Sequence, residues 1–250
     1  MDWRDLLFMR RERVGPVEPL AYAVRDALET GRATACRTRF SDGTRTLQTS
    51  EMMLDLSQHG SRLDAIALLA ARGRVLDLGA AAGRHSLVLQ GRGLDVTAVD
   101  MSSTFCELMR SRGVQQILNL PISELKAGSW DTVLLLFNGV GIAGTMAKLP
   151  AFLAHCADRL AEGGQILAEC SRGIRFYRGA PISKVLDETG ESHATETLVQ
   201  LEYKQWIGSP FEWFWPDQAS LRQCAAKAGL RCEIMATEPS GYYLARLMKQ

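Results

Sequence analysis

The residues of this 250-residue chain that could do chemistry lie around a turn of small residues. The segment Val75–Gly83 reads VLDLGAAAG, an apolar strand that passes through small residues into a helix. Small residues let a ligand approach the backbone closely, and a helix N-terminus offers free N–H groups to a carboxylate or phosphate. Asp77 stands two positions before the first glycine, where its carboxylate could hold a charged amino group.

A second acid, Asp100, ends the next apolar run, DVTAVD. A carboxylate at the end of the second strand of such a unit commonly accepts hydrogen bonds from ribose hydroxyls. Gly79 and Gly83 have the spacing G-x-x-x-G and not the G-x-G-x-x-G of dinucleotide-binding turns, which disfavours an NAD-dependent oxidoreductase. The alternative without function is a glycine turn with two surface acids.

Alternating strands and helices are expected to position these acids. The pattern from residue 74 predicts a helix that runs from Leu149 through Leu160 to Gly163–Gly164, and strands at Arg74–Leu78, Asp95–Asp100, Val114–Asn119, Thr132–Phe137 and Gln165–Cys170. Two last strands, Arg231–Ala236 and Tyr242–Met248, follow each other too closely for a helical crossover, so they should be antiparallel. We therefore predict an α/β fold with a doubly wound, mostly parallel sheet and a final antiparallel strand.

Two segments lie outside this alternation of strands and helices. Residues 1–72 are predicted to form an accessory cap with a helix and a hairpin around Ser-Asp-Gly, and residues 73–250 a ligand-binding domain. Residues 171–216 are predicted to be an insertion that contains an antiparallel hairpin and many aromatic residues. Insertions near the carboxyl ends of parallel strands commonly shape a substrate pocket.

Composition excludes several classes of protein. The net charge of +1 argues against a chain that mainly grips nucleic acid. No apolar run approaches the roughly 20 residues of a membrane span, and no signal peptide is evident, so a cytoplasmic protein without membrane association is expected. The six cysteines form no CxxC pair and no zinc-like spacing, so no metal site is expected.

The motifs DLGAAAG and VTAVDMS resemble motifs one and two of the class I S-adenosylmethionine (SAM)-dependent methyltransferases. The resemblance continues through Ile117–Leu120, Trp130–Gly139 and Leu160–Leu167, and it covers residues 74–170 well and 217–248 by strand order. It implies a Rossmann-like fold and SAM as the cofactor, with S-adenosylhomocysteine (SAH) as product. A bacterial subgroup that acts on small molecules or short peptides is the best match.

The resemblance also implies a role for each matching residue. The methionine part of SAM would lie against Asp77, Gly79, Ala80 and Gly83, the ribose hydroxyls would bind Asp100, and Met101 would pack on the adenine. Asn119 and Leu120 would meet the adenine edge, and Asn138 would stand beside the methyl group. Many family members have aspartate at Asn119 and glycine at Ala81.

No base for the reaction is evident from the sequence. His85 and Asn138 are the weak catalytic candidates, and Arg175, Tyr177, Trp206 and Trp213 are candidates for substrate binding. With neither a clear base nor a metal, a nitrogen acceptor is favoured over oxygen, since an amine reacts once it is neutral. We expect biosynthetic methylation in specialised metabolism by a monomer or homodimer, and the alternative is a non-catalytic SAM-binding partner protein.

Overall fold

The computed structural model describes residues 11–170 and 195–250. The N-terminal elements are β1 (Glu12–Val14), α1 (Glu18–Thr30), β2 (Ala35–Phe40), β3 (Arg45–Thr49), α2 (Glu51–Leu54), α3 (Leu56–His59) and α4 (Arg62–Ala70). The alternating elements are β4 (Arg74–Leu78), α5 (Arg84–Gly91), β5 (Asp95–Asp100), α6 (Ser103–Arg112), β6 (Gln116–Asn119), β7 (Trp130–Leu135), α7 (Leu149–Ala157) and β8 (Leu160–Cys170). The C-terminal elements are β9 (Thr195–Tyr203), β10 (Trp206–Gly208), β11 (Phe211–Trp215), α8 (Gln218–Lys227), β12 (Leu230–Thr237) and β13 (Tyr243–Lys249). Short 3₁₀ helices occur at Ile122–Glu124 and Gly139–Ala143.

Seven strands form the main sheet, in the order β12-β13-β8-β7-β4-β5-β6. The five strands from β6 to β8 are parallel, and β13 lies antiparallel between β8 and β12. The strand order reverses at β4, which has β5 on one side and β7 on the other. In open α/β sheets the ligand crevice lies outside the carboxyl ends of the strands at such a point. The predicted doubly wound α/β sheet with a final antiparallel strand is confirmed.

Helices cover both faces of this sheet. Leu63 of α4 and Leu89 of α5 belong to the apolar cluster on one face, and Leu153 of α7 belongs to the cluster on the other. Neighbouring residues of β7 alternate between the two clusters, with Leu134 in the first and Leu135 in the second. A strand that is apolar on both sides is typical of a sheet buried between helices.

A second sheet, which we call the covering sheet, combines β1, β2 and β3 with β9, β10 and β11. Strand β2 pairs antiparallel with β9, and Arg39 forms an ion pair with Glu202 at 2.9 Å across this junction. Together with α1, the covering sheet packs on Ala82 after β4 and on Phe105 of α6. It therefore lies over the turn that follows β4.

The hairpin β2–β3 falls in the predicted cap and the hairpin of β9 with β10 and β11 in the predicted insertion, but the two join in one sheet. The division of the chain at residues 72 and 73 stays a prediction, and residues 171–194 of the insertion lie outside the described residues.

Several predicted boundaries differ from the observed ones, among them the start of β6, which is Gln116 and not Val114, and two of the differences have a clear physical cause. Helix α7 ends at Ala157, and Leu160 begins β8 because it pairs with Trp130 of β7. Strand β7 ends at Leu135, since Phe137 has a φ of +54° that is incompatible with an extended strand. Within residues 11–170 and 195–250, no helix is long and apolar enough to cross a bilayer.

Candidate active site

The turn after β4 is tied to the end of β5. The N–H group of Gly79 donates to the carbonyl of Val99 at 2.9 Å, and the N–H of Ala81 donates to Oδ2 of Asp100 at 2.9 Å. Gly79 and Ala81 both have positive φ values, of 70° and 49°. The structure thus brings the turn and Asp100 together at the carboxyl edge of the sheet, as the sequence predicts.

Close packing explains why two positions of the turn are glycines. A Cβ atom at Gly79 would lie 2.9 Å from Cδ1 of Ile142, and one at Gly83 would lie 2.8 Å from Cγ2 of Val114. Gly83 also has a φ of +75° and precedes α5 directly. The first N–H group bonded within this helix is that of Leu87, so the N–H groups of residues 84–86 have no acceptor in the helix itself.

Asp77 is buried beneath the turn, with 2% of its surface exposed. The Ser86 hydroxyl donates to its Oδ2 at 2.6 Å, which links β4 to the first turn of α5. The carboxylate therefore lies below the N-terminus of α5.

Asp100 is buried and electrostatically unusual. Burial raises the pKa of Asp100 to about 6, and the charges of Glu18 and Asp77 act in the same direction. The N–H groups of Ser102 and Ala81 donate to the carboxylate and lower the pKa in part. Within the described residues, Oε2 of Glu18 in α1 is buried without a hydrogen-bond partner. Two carboxylates with acceptor capacity left over suit a ligand that carries hydroxyl donors, such as ribose.

The residues assigned to adenine lie beside this pair. Met101 follows Asp100 directly and is 52% exposed, so its thioether side chain is available to a flat ring. Asn119 ends β6, and its Nδ2 donates to the carbonyl of Asp100 at 3.1 Å. Leu120 is half-buried against the core. These three residues lie at adjoining ends of β5 and β6.

The end of β7 forms the other side of the cleft. Phe137 and Asn138 have successive positive φ values of 54° and 58°, a strained conformation for residues other than glycine. The Phe137 N–H donates to Oε2 of Glu169 in β8 at 2.8 Å, and the Asn138 amide donates to the carbonyl of Phe214 at 3.2 Å. Contacts from β8 and β11 therefore hold this strained turn.

The two tryptophans proposed to bind substrate lie in different parts of the structure. Trp213 lies against the turn after β7, because a Cβ at Gly141 would lie 2.5 Å from its indole nitrogen. Trp206 packs instead on Tyr22 of α1 and Tyr203 of β9, with ring centroids at 4.7 and 6.3 Å. Of the tryptophan candidates, Trp213 is the one that the structure places beside Asn138. Arg175 and Tyr177 lie outside the described residues.

A polar cluster surrounds His85 in the first turn of α5. Its Nε2 lies 2.7 Å from Oδ1 of Asp64, and Arg84 lies 3.5 Å from the same oxygen. Burial alone would raise the pKa of Asp64, but the hydrogen bond and charge of His85 outweigh it and the pKa falls to about 2. Because Asp64 is ionised, Nε2 of His85 carries the shared proton.

Sequence reasoning missed three acids of the cleft: Glu18, Asp64 and Glu169. Asp64 had a signal, since Ser61 and Asp64 form a capping box at the start of α4. Glu169 is the one charged residue in the apolar run QILAEC, and Glu18 looks like an ordinary acid in the first turn of a helix. In the described part of the chain, no three His, Cys, Asp or Glu side chains come together as metal ligands would.

Comparisons with known proteins agree with this geometry. A family model described as a methyltransferase domain matches residues 75–164. No curated protein sequence matches the chain. A SAM-dependent methyltransferase from Bacteroides fragilis, solved in complex with SAH, is 29% identical with a TM-score of 0.84, and the match covers 96% of this chain and 99% of that one.

Two more distant structures share the fold. The complex of DhpI with SAM and HEP is 18% identical over 93% of this chain and 97% of that one, with a TM-score of 0.59. SAM-bound CalS10, described as an amino pentose methyltransferase from Micromonospora echinaspora, is 18% identical over 76% and 87%, with a TM-score of 0.51. The domain match at residues 75–164 and the full-length similarity to the Bacteroides structure agree with the strand order, and together they identify a SAM-dependent methyltransferase with a Rossmann-like fold.

Proposed function

We propose that the protein transfers the methyl group of SAM to a nitrogen atom of a small molecule or short peptide, in a biosynthetic step of specialised metabolism. The observation that carries the cofactor assignment is the hydrogen bond between the turn after β4 and the buried carboxylate of Asp100. It joins a glycine turn, a helix N-terminus and a ribose acceptor at the point where the strand order reverses.

The proposed cofactor contacts follow from this arrangement. Asp100 accepts from the ribose hydroxyls, and Glu18, whose Oε2 has no partner among the described residues, is close enough for its charge to raise the pKa of Asp100. The N–H groups at the start of α5 receive the methionine carboxylate. The remaining contacts are divided between the methionine end, formed by Asp77, Gly79, Ala80 and Gly83, and the adenine end, formed by Met101, Asn119 and Leu120.

Bound SAM supplies a sulfonium methyl that a nitrogen lone pair displaces, with the N–C bond forming as the C–S bond breaks and its electron pair passing to sulfur. For such a reaction the protein mainly aligns the reactants and excludes water. Asn138 and Trp213 form the wall at the end of β7, and the covering sheet closes the cleft above the turn. The strained backbone at Phe137 and Asn138 is held rigid by β8 and β11.

Nitrogen is the favoured acceptor, and oxygen the less favoured one. A neutral amine attacks a methyl group without a strong base, whereas a hydroxyl needs a partner to take its proton. CalS10, which shares the fold, is described as acting on an amino pentose. His85 is the weak candidate for a base, because its Nε2 is occupied by Asp64 and only Nδ1 remains for a proton.

Ligand-dependent thermal unfolding tests the proposal. SAM or SAH at about 100 times its Kd should add about 2.7 kcal/mol to the free energy of unfolding and raise Tm by roughly 5–10 °C. NAD is the control and should cause no shift. Absence of a shift with both SAM and SAH refutes the proposal, and stabilisation by NAD alone favours an oxidoreductase.

A second assay addresses the reaction. The protein is incubated with SAM and a panel of small amines, amino sugars, short peptides and hydroxyl compounds, and mass spectrometry detects the gain of one methyl group. Methylation of amines supports the proposal, whereas methylation of hydroxyl compounds alone contradicts the nitrogen assignment. SAM binding without transfer to any acceptor favours a non-catalytic partner protein.

A further inference from the structure

Glu169 is a buried carboxylate at the transfer end of the cleft that the methyl-transfer chemistry itself does not use. It is the next-to-last residue of β8, with 4% of its surface exposed. Its neighbours Ala168 and Cys170 point into the cluster beneath α7 and α8, so the Glu169 side chain lies on the face of α4 and α5. Its Oε2 accepts from the N–H of Phe137, one residue before Asn138.

Glu169 forms no ion pair in the described part of the chain. Among residues 11–170 and 195–250, no Lys, Arg or His forms an ion pair with its carboxylate. The nearby Arg84 is committed elsewhere: it donates to the carbonyl of Met52 at 2.7 Å, contacts Asp64, and lies 5.0 Å from the ring centroid of Phe137. Burial, followed by the charge of Asp64, raises the pKa of Glu169 above its ordinary value, and the Phe137 N–H together with the charges of His85 and Arg84 offsets this only in part.

A buried carboxylate whose charge is only partly offset destabilises a folded protein, so a cation bound beside it would be stabilised by the residual charge. A cation at the end of β7 would lie beside this carboxylate. The surroundings suit one, because Phe137 is 37% exposed and the Trp213 indole lies against the same turn. Aromatic rings attract cations as well as apolar groups.

We propose that Glu169 is the counter-ion of the methyl acceptor, so that the cleft selects acceptors that arrive as protonated amines over neutral hydroxyl compounds. The amine releases its proton to solvent before transfer, and its nitrogen becomes cationic again as the N–C bond forms, so the carboxylate faces a positive charge before and after the reaction. The inference rests on the proposed function, because it assigns the acceptor side of the same site. If Glu169 served only to hold the Phe137 N–H, its replacement by glutamine would leave ligand binding unchanged. Glutamine at this position still accepts from the Phe137 N–H through its carbonyl oxygen, and it removes only the charge.

Two cofactor analogues distinguish the role of counter-ion from a purely structural role, and the measurement does not require the acceptor to be known. SAH has no charge at the position of the sulfonium, whereas sinefungin carries an ammonium group on the carbon that replaces it. Calorimetry at pH 7.5 gives the Kd of both ligands for the wild type, for Glu169→Gln and for the control Glu162→Gln, which alters an exposed glutamate of the same strand.

We expect Glu169→Gln to bind SAH as the wild type does and to lose about tenfold in affinity for sinefungin. Glu162→Gln should leave the ratio of the two dissociation constants unchanged. An unchanged ratio in Glu169→Gln, or an equal loss for both ligands, overturns the inference. Failure of the wild type to bind SAH overturns the proposed function instead, so the two failures are distinguishable.

A wild-type measurement keeps the test decisive if Glu169→Gln does not fold. The ratio of the two dissociation constants is followed from pH 8 down to the lowest pH at which circular dichroism still reports the folded protein, and the ammonium group of sinefungin stays charged throughout. The preference for sinefungin should fall as Glu169 takes up a proton, because a neutral carboxyl no longer attracts the ammonium. A ratio that is constant over this range refutes the assignment of Glu169.

Discussion

The assignment of Asp100 to the ribose makes cofactor binding depend on pH in a range where aspartate is ordinarily inert. Burial raises the pKa of Asp100 from 3.8 to about 6 in the free protein. Ribose hydroxyls donate to the ionised carboxylate, so affinity falls as the pH falls through 6. The ionised fraction is about 90% at pH 7 and about 10% at pH 5, which corresponds to a roughly tenfold loss of affinity, or about 1.4 kcal/mol. A carboxyl with the ordinary value would change its ionised fraction by less than about 10% over this range.

Calorimetric titration with SAH between pH 5 and pH 7.5 measures this dependence, with circular dichroism to verify folding at each pH. Glu18→Gln removes a negative charge that raises the pKa of Asp100, so the midpoint of the affinity curve should move to lower pH. Glu29→Gln is the matched control, because it alters an exposed residue at the other end of α1. An SAH affinity that is constant from pH 5 to pH 7.5, or a midpoint that moves upward in Glu18→Gln, refutes the reasoning.

Three further tests of the geometry use chemical denaturation. Asp64→Asn should lower the free energy of unfolding by about 2 kcal/mol at pH 7. The difference from the wild type should narrow between pH 4 and pH 2, since the pKa of Asp64 is held at about 2 in the folded state. A difference that is independent of pH contradicts this. Gly141→Ala should cost about 1–3 kcal/mol because its Cβ would lie 2.5 Å from the Trp213 indole, and Trp213→Phe should recover part of the loss. Gly83→Ala, at a φ of +75°, should cost more than 1 kcal/mol, whereas Gly91→Ala, with open space around it, should be neutral or stabilising.

The sequence was most informative where local signals agree. Strands Arg74–Leu78 and Asp95–Asp100 were predicted with their observed limits, because each is an apolar run that ends before a turn. Leu160 was misassigned because the helical spacing of apolar residues continues beyond Ala157. What places it in β8 is pairing with Trp130, which lies thirty residues earlier and leaves no local trace.

The candidate site divides in the same way. The turn after β4 and Asp100 could be found from the sequence, since the motif is continuous and the acid ends a strand. Glu18 and Glu169 could not, because they enter the cleft only through tertiary packing of α1 and β8. Their significance lies in burial and, among the described residues, in the unpartnered Oε2 of Glu18 and the absence of an ion pair to Glu169, which no spacing along the chain reveals.

The covering sheet constrains the order in which parts of the chain can fold during synthesis on the ribosome. Strand β2 emerges within the first 40 residues, but its partner β9 begins at Thr195. Closing a loop of about 160 residues is entropically costly and slow in comparison with pairing neighbouring strands. The strands from β4 to β8 are synthesised in between and can assemble without either partner. The nascent protein therefore forms an open cofactor cleft first, and until β9 arrives the free edge of β2 is where two growing chains are most prone to pair with each other.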